Sequence, residues 1–222
     1  AVVGGGAGGV ELTLAMQYRL RKELRALGRD PDELAFRLLT RDADILPTHN
    51  ARVRRTFGKV LERRGVVVHR AAEVNQVSAT RLHTAGGETV EADEIIWVTR
   101  AGGAPWLRQT GLALDAEGFI QVGDTLQSVT DPNVFAAGDV ASMVDHPLEK
   151  AGVFAVRQGP PLAENLRRAV EGRALKAYRP QRRWLALIST GDRHAVASRG
   201  GLAFEGAWVW RWKDWIDRRF MA

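Results

Sequence analysis

Three glycines near the start of the chain have the spacing of a phosphate-binding loop. Gly4, Gly6 and Gly9, with Ala7 between them, separate the apolar run 1–3 from a long helical pattern. The first glycine allows a tight turn, the second lets a pyrophosphate approach backbone N–H groups, and the third lets the helix pack closely on its strand. A flexible glycine turn is the alternative, but the flanking strand and helix favour a dinucleotide site, with the phosphates at the positive helix end.

The residues that follow the second predicted strand bear on which nucleotide binds. An Asp or Glu usually stands there and binds the ribose 2′-hydroxyl of NAD, whereas this strand ends in Thr40 and Arg41. Arg41 can pair with the 2′-phosphate of NADP. Asp42 and Asp44 are near enough in sequence to serve NAD instead. The pattern favours NADP slightly and leaves NAD open.

A second group of residues ends on a glycine and an acid. The run 130–139 reads TDPNVFAAGD and predicts a strand over 133–139 that ends at Gly138 and Asp139. A glycine there lets the backbone approach a cofactor, and a carboxylate can accept a hydrogen bond from a cofactor hydroxyl. A helix-capping Asp is the alternative, but it leaves the nine preceding residues unexplained.

The run 130–139 resembles the second flavin-binding motif of the pyridine-nucleotide-disulfide oxidoreductase superfamily. The resemblance implies that Gly138 and Asp139 hold the ribityl chain of FAD and that Glu11 lies near the nicotinamide. It also implies a helix whose N-terminus faces the flavin and stabilises the reduced form through the helix dipole. The residues at the start of that helix are Lys150, Ala151, Gly152 and Val153.

Segments 151–166 and 184–191 are similar to the type II NADH dehydrogenase-like flavoproteins, and to their subgroup fused to or encoded beside selenide, water dikinase. This resemblance implies selenophosphate synthetase as a partner. Three features depart from the family pattern. The cofactor-facing strand end Ala-Thr-Gly reads Val98-Thr99-Arg100, Gly152-Val153 replaces an Ala-Gln associated with quinones, and the first FAD glycine motif is missing, as expected of an N-terminally truncated flavoprotein.

The predicted order of the strands and helices that position these residues indicates an α/β fold. It consists of Rossmann-like three-layer FAD/NAD(P)-binding domains and a small α+β C-terminal element. Alternating strands and helices over the first 68 residues indicate parallel strands joined by crossovers. The later elements are an antiparallel meander over 73–90, a buried strand over 94–98 and a helix over 150–170 that is interrupted at its Gly-Pro-Pro. The predicted domains are an NAD(P) domain over 1–103, the returning half of an FAD domain over 104–173, and the C-terminal element over 174–222.

The amino-acid composition and the distribution of charge exclude several classes of function. The 222 residues include no cysteine, which excludes disulfides, thiolate metal sites and a thiol relay within this segment, and the five histidines have no metal-ligand spacing. The net charge of +6 comes from the tail, since residues 167–222 carry 13 Lys/Arg against 5 Asp/Glu. No nucleic-acid-binding signature accompanies that charge, and no apolar run is long enough to span a membrane. We therefore expect a cytoplasmic protein that does not bind nucleic acid.

The tail ends in a helical pattern with an aromatic face. Trp208, Trp212, Trp215 and Ile216 share one side, with arginines around them. A peripheral membrane contact is one interpretation. Docking of this face onto the protein itself or onto a partner is the favoured one. A homodimer through this face, or through the edge of the strand over 134–137, is a further prediction.

Together these features predict a flavoprotein that transfers hydride from NAD(P)H to FAD and then electrons to an unidentified acceptor. The hydride step requires stacking geometry and electrostatics and no acid–base residue, so no catalytic side chain is assigned. The chain alone is expected to be inactive and to hold FAD weakly. A non-catalytic nucleotide-binding or docking module, serving a partner such as selenophosphate synthetase, is the alternative, and Arg100 favours it.

Overall fold

The computed structural model describes residues 1–99, 102–181 and 184–221, which form two compact units. The first unit joins Ala1–Arg100 to Leu185–Ala222, and the second comprises Ala101–Trp184. This division differs from the predicted one. The chain after Leu185 packs with the N-terminal segment and does not form a separate C-terminal element.

The elements follow one another in a mixed order of strands and helices. The N-terminal part of the first unit contains β1 (Val2–Val3), α1 (Ala7–Ala26), β2 (Phe36–Leu39), α2 (Ala51–Arg63), β3 (Val66–His69), β4 (Val74–Ser78), β5 (Arg81–Thr84), β6 (Thr89–Glu91) and β7 (Ile96–Trp97). The second unit contains β8 (Ile120–Val122), β9 (Ala141–Met143) and α3 (Gly152–Val170). The C-terminal part of the first unit contains β10 (Ala186–Ser189), β11 (Ala195–Arg199), β12 (Leu202–Gly206) and α4 (Ala207–Met221).

A four-stranded parallel sheet organises the first unit. Its strand order is β3-β2-β1-β7, and Val3 lies beside both Leu39 and Trp97. The helices α1 and α2 pack against the sheet through a core that includes the fully buried Leu14 and Phe57. This arrangement confirms the predicted α/β fold, and it brings the ends of β1, β2 and β7 to one edge of the sheet.

The opposite face of the sheet carries the predicted meander. β4, β5 and β6 pair antiparallel, and Leu82 and Val90 pack against Val3 and Leu39. β7 differs from the buried strand predicted over 94–98, because it has only two residues and Trp97 is 52% exposed. Among the described strands only β1 pairs with β7, so β7 lies at the edge of the sheet.

The C-terminal strands belong to the same core as the parallel sheet. β10, β11 and β12 form an antiparallel sheet whose Ile188 packs in one cluster with Leu14 of α1. Polar contacts also hold it: Arg64, at the end of α2, pairs with Asp192 and donates a hydrogen bond to the carbonyl of Thr190 at 2.7 Å. Apolar contacts and this cation together explain why the segment does not stand apart.

Helix α4 packs on this sheet through Val209 and Trp210, which lie on a different face from the predicted aromatic face. Val209 is fully buried against Ala197, whereas Trp208, Trp212 and Trp215 are 53%, 39% and 58% exposed. The prediction that the aromatic face docks onto the protein's own surface is therefore wrong for the described residues, because the neighbouring helix face meets the sheet. Within the described chain no helix combines the length and the apolar character needed to cross a bilayer.

The second unit contains the parallel pair β8 and β9, with Leu107 and Val122 in its core. Residues 133–139 do not form the predicted strand. Phe135 makes a single bridge to Gln127, and a short 3-10 turn begins at Gly138. The positive φ of +70° at Gly138 turns the chain there, which an extended strand does not allow.

Helix α3 runs without a break over its 19 residues, so the interruption predicted at 159–161 is wrong. The two prolines lie in the middle of the helix and remove two backbone N–H donors. The carbonyls left without those donors belong to Val156 and Arg157, which are exposed residues and can bind water.

Candidate functional site

The glycine loop lies between β1 and α1, and its glycines have different structural roles. Gly4 has a φ of +135°, and a Cβ added to it would overlap the carbonyl of Val98 at the end of β7. A Cβ on Gly9 would overlap the carbonyl oxygen of Gly4. A Cβ on Gly6 would meet nothing within 4 Å. Internal packing therefore requires glycine at positions 4 and 9, whereas position 6 faces open space.

The helix start beside Gly6 offers unpaired positive character. Gly6 is the N-cap of α1, no side chain caps the helix, and its first turn contains no acidic residue. The N–H groups at Ala7 and the next positions thus lack side-chain partners at the positive end of a 20-residue helix. Hydrogen bonds hold the loop in place, from Gly4 N–H to the Leu39 carbonyl at 2.9 Å and from Leu46 N–H to the Gly5 carbonyl at 2.7 Å. This geometry suits an anion such as a pyrophosphate.

The end of β2 lies beside this loop, and the polar residues that follow the strand differ in their contacts. Thr40 is buried, and its hydroxyl accepts a hydrogen bond from the Asp42 N–H at 3.3 Å; its contact with the cofactor remains a prediction. Asp44 pairs with Arg70 at 3.2 Å. Arg41 is exposed, and no described residue gives it a hydrogen bond or an ion pair. Among the described residues at this edge, Arg41 is therefore a free cation that can receive an anionic group.

Glu11 lies one turn into α1, and its carboxylate is already engaged. It accepts a hydrogen bond from the Ser189 N–H at 2.6 Å, and the Lys213 Nζ lies 3.8 Å away. Burial raises the pKa of Glu11, and the Ser189 hydrogen bond and the Lys213 charge only partly oppose that effect. The role predicted for Glu11 beside a nicotinamide remains a prediction. The contact with the C-terminal segment was not foreseen, because nothing local in the sequence links positions 178 residues apart.

The strand end after β7 contributes one described residue to this edge. The Val98 N–H donates to the Val3 carbonyl at 2.8 Å, which places the exposed Thr99 just beyond the sheet. Arg100, the cation predicted to replace a family glycine, lies outside the described residues. The first unit therefore brings together the glycine loop, Arg41 and Thr99 at the carboxyl ends of three neighbouring strands.

The second unit forms a crevice from the remaining predicted residues. Gly138 N–H donates to Gln158 Oε1 at 2.6 Å, which ties the glycine turn to α3, and Asp139 follows it in an exposed position. Lys150 Nζ donates to the Ala141 carbonyl at 2.6 Å and lies 4.0 Å from the centre of the Phe119 ring. The crevice is lined by Asp139, Lys150, Ala151, Phe154 and Gln158, among others.

The electrostatics of this crevice centre on Lys150 and the start of α3. Burial lowers the pKa of Lys150, while the carboxylates of Asp115, Asp139 and Glu117 oppose that shift. Ala151 is the N-cap of α3 and makes no side-chain capping hydrogen bond, so the first turn at Gly152 and Val153 lacks side-chain partners for its N–H groups. The crevice therefore combines a carboxylate, an ammonium group and a helix N-terminus.

Sequence reasoning did not identify Gln158 as part of this crevice, or Phe119 as the aromatic contact of Lys150. Phe119 comes from a segment without a recognisable motif, and Gln158 was visible only as one residue of the helix over 150–170. Their partners are 31 and 20 positions away along the chain, and only the folded unit brings them together. Among the described residues, no group of three His, Asp or Glu side chains is arranged to hold a metal ion.

Comparison with known proteins finds related sequences and a related structure. Over 148 residues the chain is 29% identical to a type II NADH:quinone oxidoreductase of Haemophilus influenzae, a match that covers 65% of this chain and 33% of that protein. Over 216 residues it is 27% identical to a demethylphylloquinone reductase of Synechocystis sp., covering 93% and 50% of the two proteins. The chain thus spans a third to a half of the length of these relatives.

The sulfide:quinone oxidoreductase structure from Aquifex aeolicus matches 99% of this chain and 57% of its own, with a TM-score of 0.77 and 16% identity. That match establishes the same fold. The profile of the pyridine nucleotide-disulphide oxidoreductase family matches residues 1–168, about three quarters of the chain. This protein therefore belongs to the pyridine nucleotide-disulphide oxidoreductase family.

Proposed function

We propose that this chain is the nucleotide-binding part of an FAD-dependent NAD(P)H oxidoreductase. The observation that carries the proposal is the contrast within the glycine loop. Internal packing explains why glycine is needed at positions 4 and 9. It does not explain the open space above Gly6 or the uncapped start of α1. A pyrophosphate would occupy that space and accept hydrogen bonds from the first N–H groups of the helix.

For the nucleotide, we expect NADPH to bind at least as tightly as NADH. Arg41 would contact the 2′-phosphate, while Thr40 stands where a ribose-binding carboxylate usually lies and supplies no negative charge to favour NADH. Titration calorimetry with both nucleotides tests this, and Arg41→Glu should shift the preference toward NADH. A wild type that prefers NADH by about tenfold or more, which corresponds to about 1.4 kcal/mol, would show that Asp42 or another acid selects the nucleotide.

The crevice of the second unit fits part of an FAD site. The Asp139 carboxylate would accept a hydrogen bond from a ribityl hydroxyl, and Lys150 with the start of α3 would place positive charge beside the flavin ring. Bound FAD would accept hydride from NAD(P)H and pass electrons to the acceptor. The positive groups would favour the reduced, more anionic form of the ring.

We expect the 222-residue chain to hold FAD weakly. Asp139 and the start of α3 reach only the ribityl and ring portions of the cofactor, while the glycine loop is assigned to the nicotinamide nucleotide. Each missing charge-assisted hydrogen bond to the FAD pyrophosphate costs about 1.5–3 kcal/mol. Absorbance of the purified chain near the flavin band measures retention, and stoichiometric FAD after gel filtration would contradict the expectation.

Two observations bear on the electron acceptor, and they favour different kinds of acceptor. The two relatives are an NADH:quinone oxidoreductase and a demethylphylloquinone reductase, which supports a quinone-type acceptor. Gly152-Val153, in place of the family's quinone-associated pair, argues for a different one. The exposed Trp208, Trp212 and Trp215 would provide a contact surface for a partner, a second copy or a membrane surface. Selenophosphate synthetase as that partner, and a purely nucleotide-binding module as the alternative function, remain predictions.

A further inference from the structure

The Lys150 amine is held from two sides by residues that lie outside the predicted flavin motif. Its Nζ atom lies 4.0 Å from the centre of the Phe119 ring and donates a hydrogen bond to the Ala141 carbonyl at 2.6 Å. Phe119 immediately precedes β8 and Ala141 begins β9, and these strands pair in parallel with Ile120 opposite Ala141. The two contacts therefore fix the amine at the start of two paired strands.

Phe119 is itself fixed by a turn that Asp115 closes. The Asp115 carboxylate accepts hydrogen bonds from the N–H groups of Glu117 at 3.0 Å and Phe119 at 2.9 Å. The backbone of Asp115 adds two more, from its N–H to the Phe119 carbonyl at 2.9 Å and from the Gly118 N–H to its own carbonyl at 3.0 Å. The Phe119 ring is only 4% exposed, so it has little freedom to move away from Lys150.

Lys150 connects this support to the crevice of the second unit. It lines the crevice beside Asp139 and Glu149, whereas neither Phe119 nor Asp115 is among the described residues of the lining. An ammonium group has three N–H donors, and the Ala141 carbonyl uses one of them. Lys150 therefore keeps donors for a group bound in the crevice while its position is set from outside.

Opposing effects act on the charge of Lys150. Burial lowers its pKa, and the carboxylates of Asp115, Asp139 and Glu117 oppose that effect. The face of an aromatic ring carries negative charge density and stabilises a cation placed over it. Phe119 therefore acts in the same direction as the carboxylates and favours the ammonium form.

We propose that Phe119 is a positioning residue that holds the Lys150 ammonium in the crevice, and that Asp115 holds Phe119 in place. The functional meaning of this inference rests on the proposed flavin site. A fixed ammonium beside the flavin needs no rearrangement when the ring gains negative charge on reduction. Phe119 acts through Lys150, because it lies outside the lining of the crevice.

Competitive acetylation with acetic anhydride, resolved by mass spectrometry, measures the neutral fraction of the Lys150 amine in the purified chain. Lys59, which is exposed and has no partner among the described residues, is the internal reference for the reagent. At about pH 7, Phe119→Leu should raise the labelling rate of Lys150 about 2- to 30-fold, which corresponds to the loss of one cation–π contact. The pH dependence separates charge from access, because easier access alone raises the rate equally at every pH.

A second variant keeps the shape of the ring. Replacing Phe119 by a difluorinated phenylalanine weakens the negative face and should also raise the labelling rate, so it carries the test if Phe119→Leu does not fold. Phe135→Leu is the matched control, since Phe135 is a half-buried phenylalanine of the same unit whose ring contacts no cation among the described residues. A Lys150 pH profile that both changes at Phe119 leave unaltered, or that Phe135→Leu shifts equally, would overturn the proposal.

The role of Asp115 has its own test. Asp115→Ala removes the acceptor that closes the turn and should raise the labelling rate of Lys150. Adding Phe119→Leu to Asp115→Ala should then have a smaller effect than Phe119→Leu has in the wild type, because the ring is already displaced. An effect of full size in that background would show that Asp115 does not hold Phe119.

Acetylation requires neither flavin nor nucleotide, so its outcome is separate from that of the proposed function. FAD in millimolar excess should protect Lys150 from labelling if the crevice is the flavin site. Labelling that FAD leaves unchanged, together with the expected response to Phe119→Leu, would contradict the flavin site and support the positioning of Lys150 by Phe119. Labelling that FAD suppresses but Phe119→Leu does not alter would support the flavin site and overturn the positioning role.

Discussion

A pair of alanine substitutions separates the two roles of the glycine loop. In Gly9→Ala the new methyl group would overlap the carbonyl oxygen of Gly4, and both atoms belong to the backbone junction of β1 and α1. No flexible side chain can move aside to relieve that contact. In Gly6→Ala the methyl group would meet no protein atom within 4 Å, and the backbone at φ −72° and ψ 179° suits alanine. The same chemical change should therefore have opposite consequences at the two positions.

The expected magnitudes differ for stability and for binding. Overpacking of this kind costs about 3 kcal/mol, so Gly9→Ala should lower the melting temperature by about 6–12 °C for a chain of this size. Alanine in place of glycine at an N-cap costs at most about 1 kcal/mol, so Gly6→Ala should melt within about 4 °C of the wild type. If its methyl group displaces one charge-assisted hydrogen bond to a phosphate, worth about 1.5–3 kcal/mol, the Kd for NADPH should rise about 10- to 150-fold.

Differential scanning fluorimetry measures the first effect, and titration calorimetry with NADPH measures the second. Gly58→Ala, in α2, is a suitable control, because a Cβ there also meets nothing within 4 Å and lies away from the loop. Wild-type NADPH affinity in Gly6→Ala would refute the placement of the pyrophosphate above Gly6. A Gly9→Ala variant as stable as the wild type would refute the packing argument.

The contacts of the C-terminal segment lead to two further predictions. Burial raises the pKa of Glu11, so its contribution to stability is complete below the ordinary value of 4.5 and is lost as the pH rises through the raised value. The side chain in Glu11→Gln is neutral and can still accept the Ser189 hydrogen bond. Its free energy of unfolding, measured by urea denaturation, should therefore rise relative to that of the wild type as the pH increases from 4.5 toward neutrality. A difference between the two proteins that shrinks over this range would contradict the prediction. Arg64→Met removes the partner of the Thr190 carbonyl and of the Asp192 carboxylate. It should lower the free energy of unfolding by about 1–3 kcal/mol, measured by thermal melting. The matched control, Arg63→Met at the neighbouring exposed arginine, should lower it little.

Several elements of the first unit could be predicted from local patterns in the sequence. The spacing of Gly4, Gly6 and Gly9 is readable because a strand, a tight turn and a helix start are all set within ten residues. The helix over 51–63 begins at an N-cap, Asn50, whose side chain accepts a hydrogen bond from Val53 N–H at 3.1 Å. The meander follows from alternation and a Gly-Gly turn. Such features depend on neighbours along the chain, so the sequence alone predicts them.

The errors arose where distant parts of the chain decide the outcome. Residues 134–137 have the composition of a strand, yet Phe135 finds only the single bridge to Gln127. The Gly-Pro-Pro of α3 does not interrupt the helix, and the carbonyls that it leaves unpaired belong to exposed residues. The aromatic face of α4 stays exposed since a neighbouring face packs on the sheet. In each case the decisive partner is remote in sequence or is the solvent.

By itself, then, the sequence determined the α/β class, the nucleotide loop and the family resemblance, since each rests on residues close together in the chain. Only the tertiary structure decided that Glu11 is held by Ser189 and that the C-terminal strands join the first unit. The physical reason is that burial, ion pairing and the filling of space depend on which distant side chains meet, and those meetings are set by the packing of the whole unit.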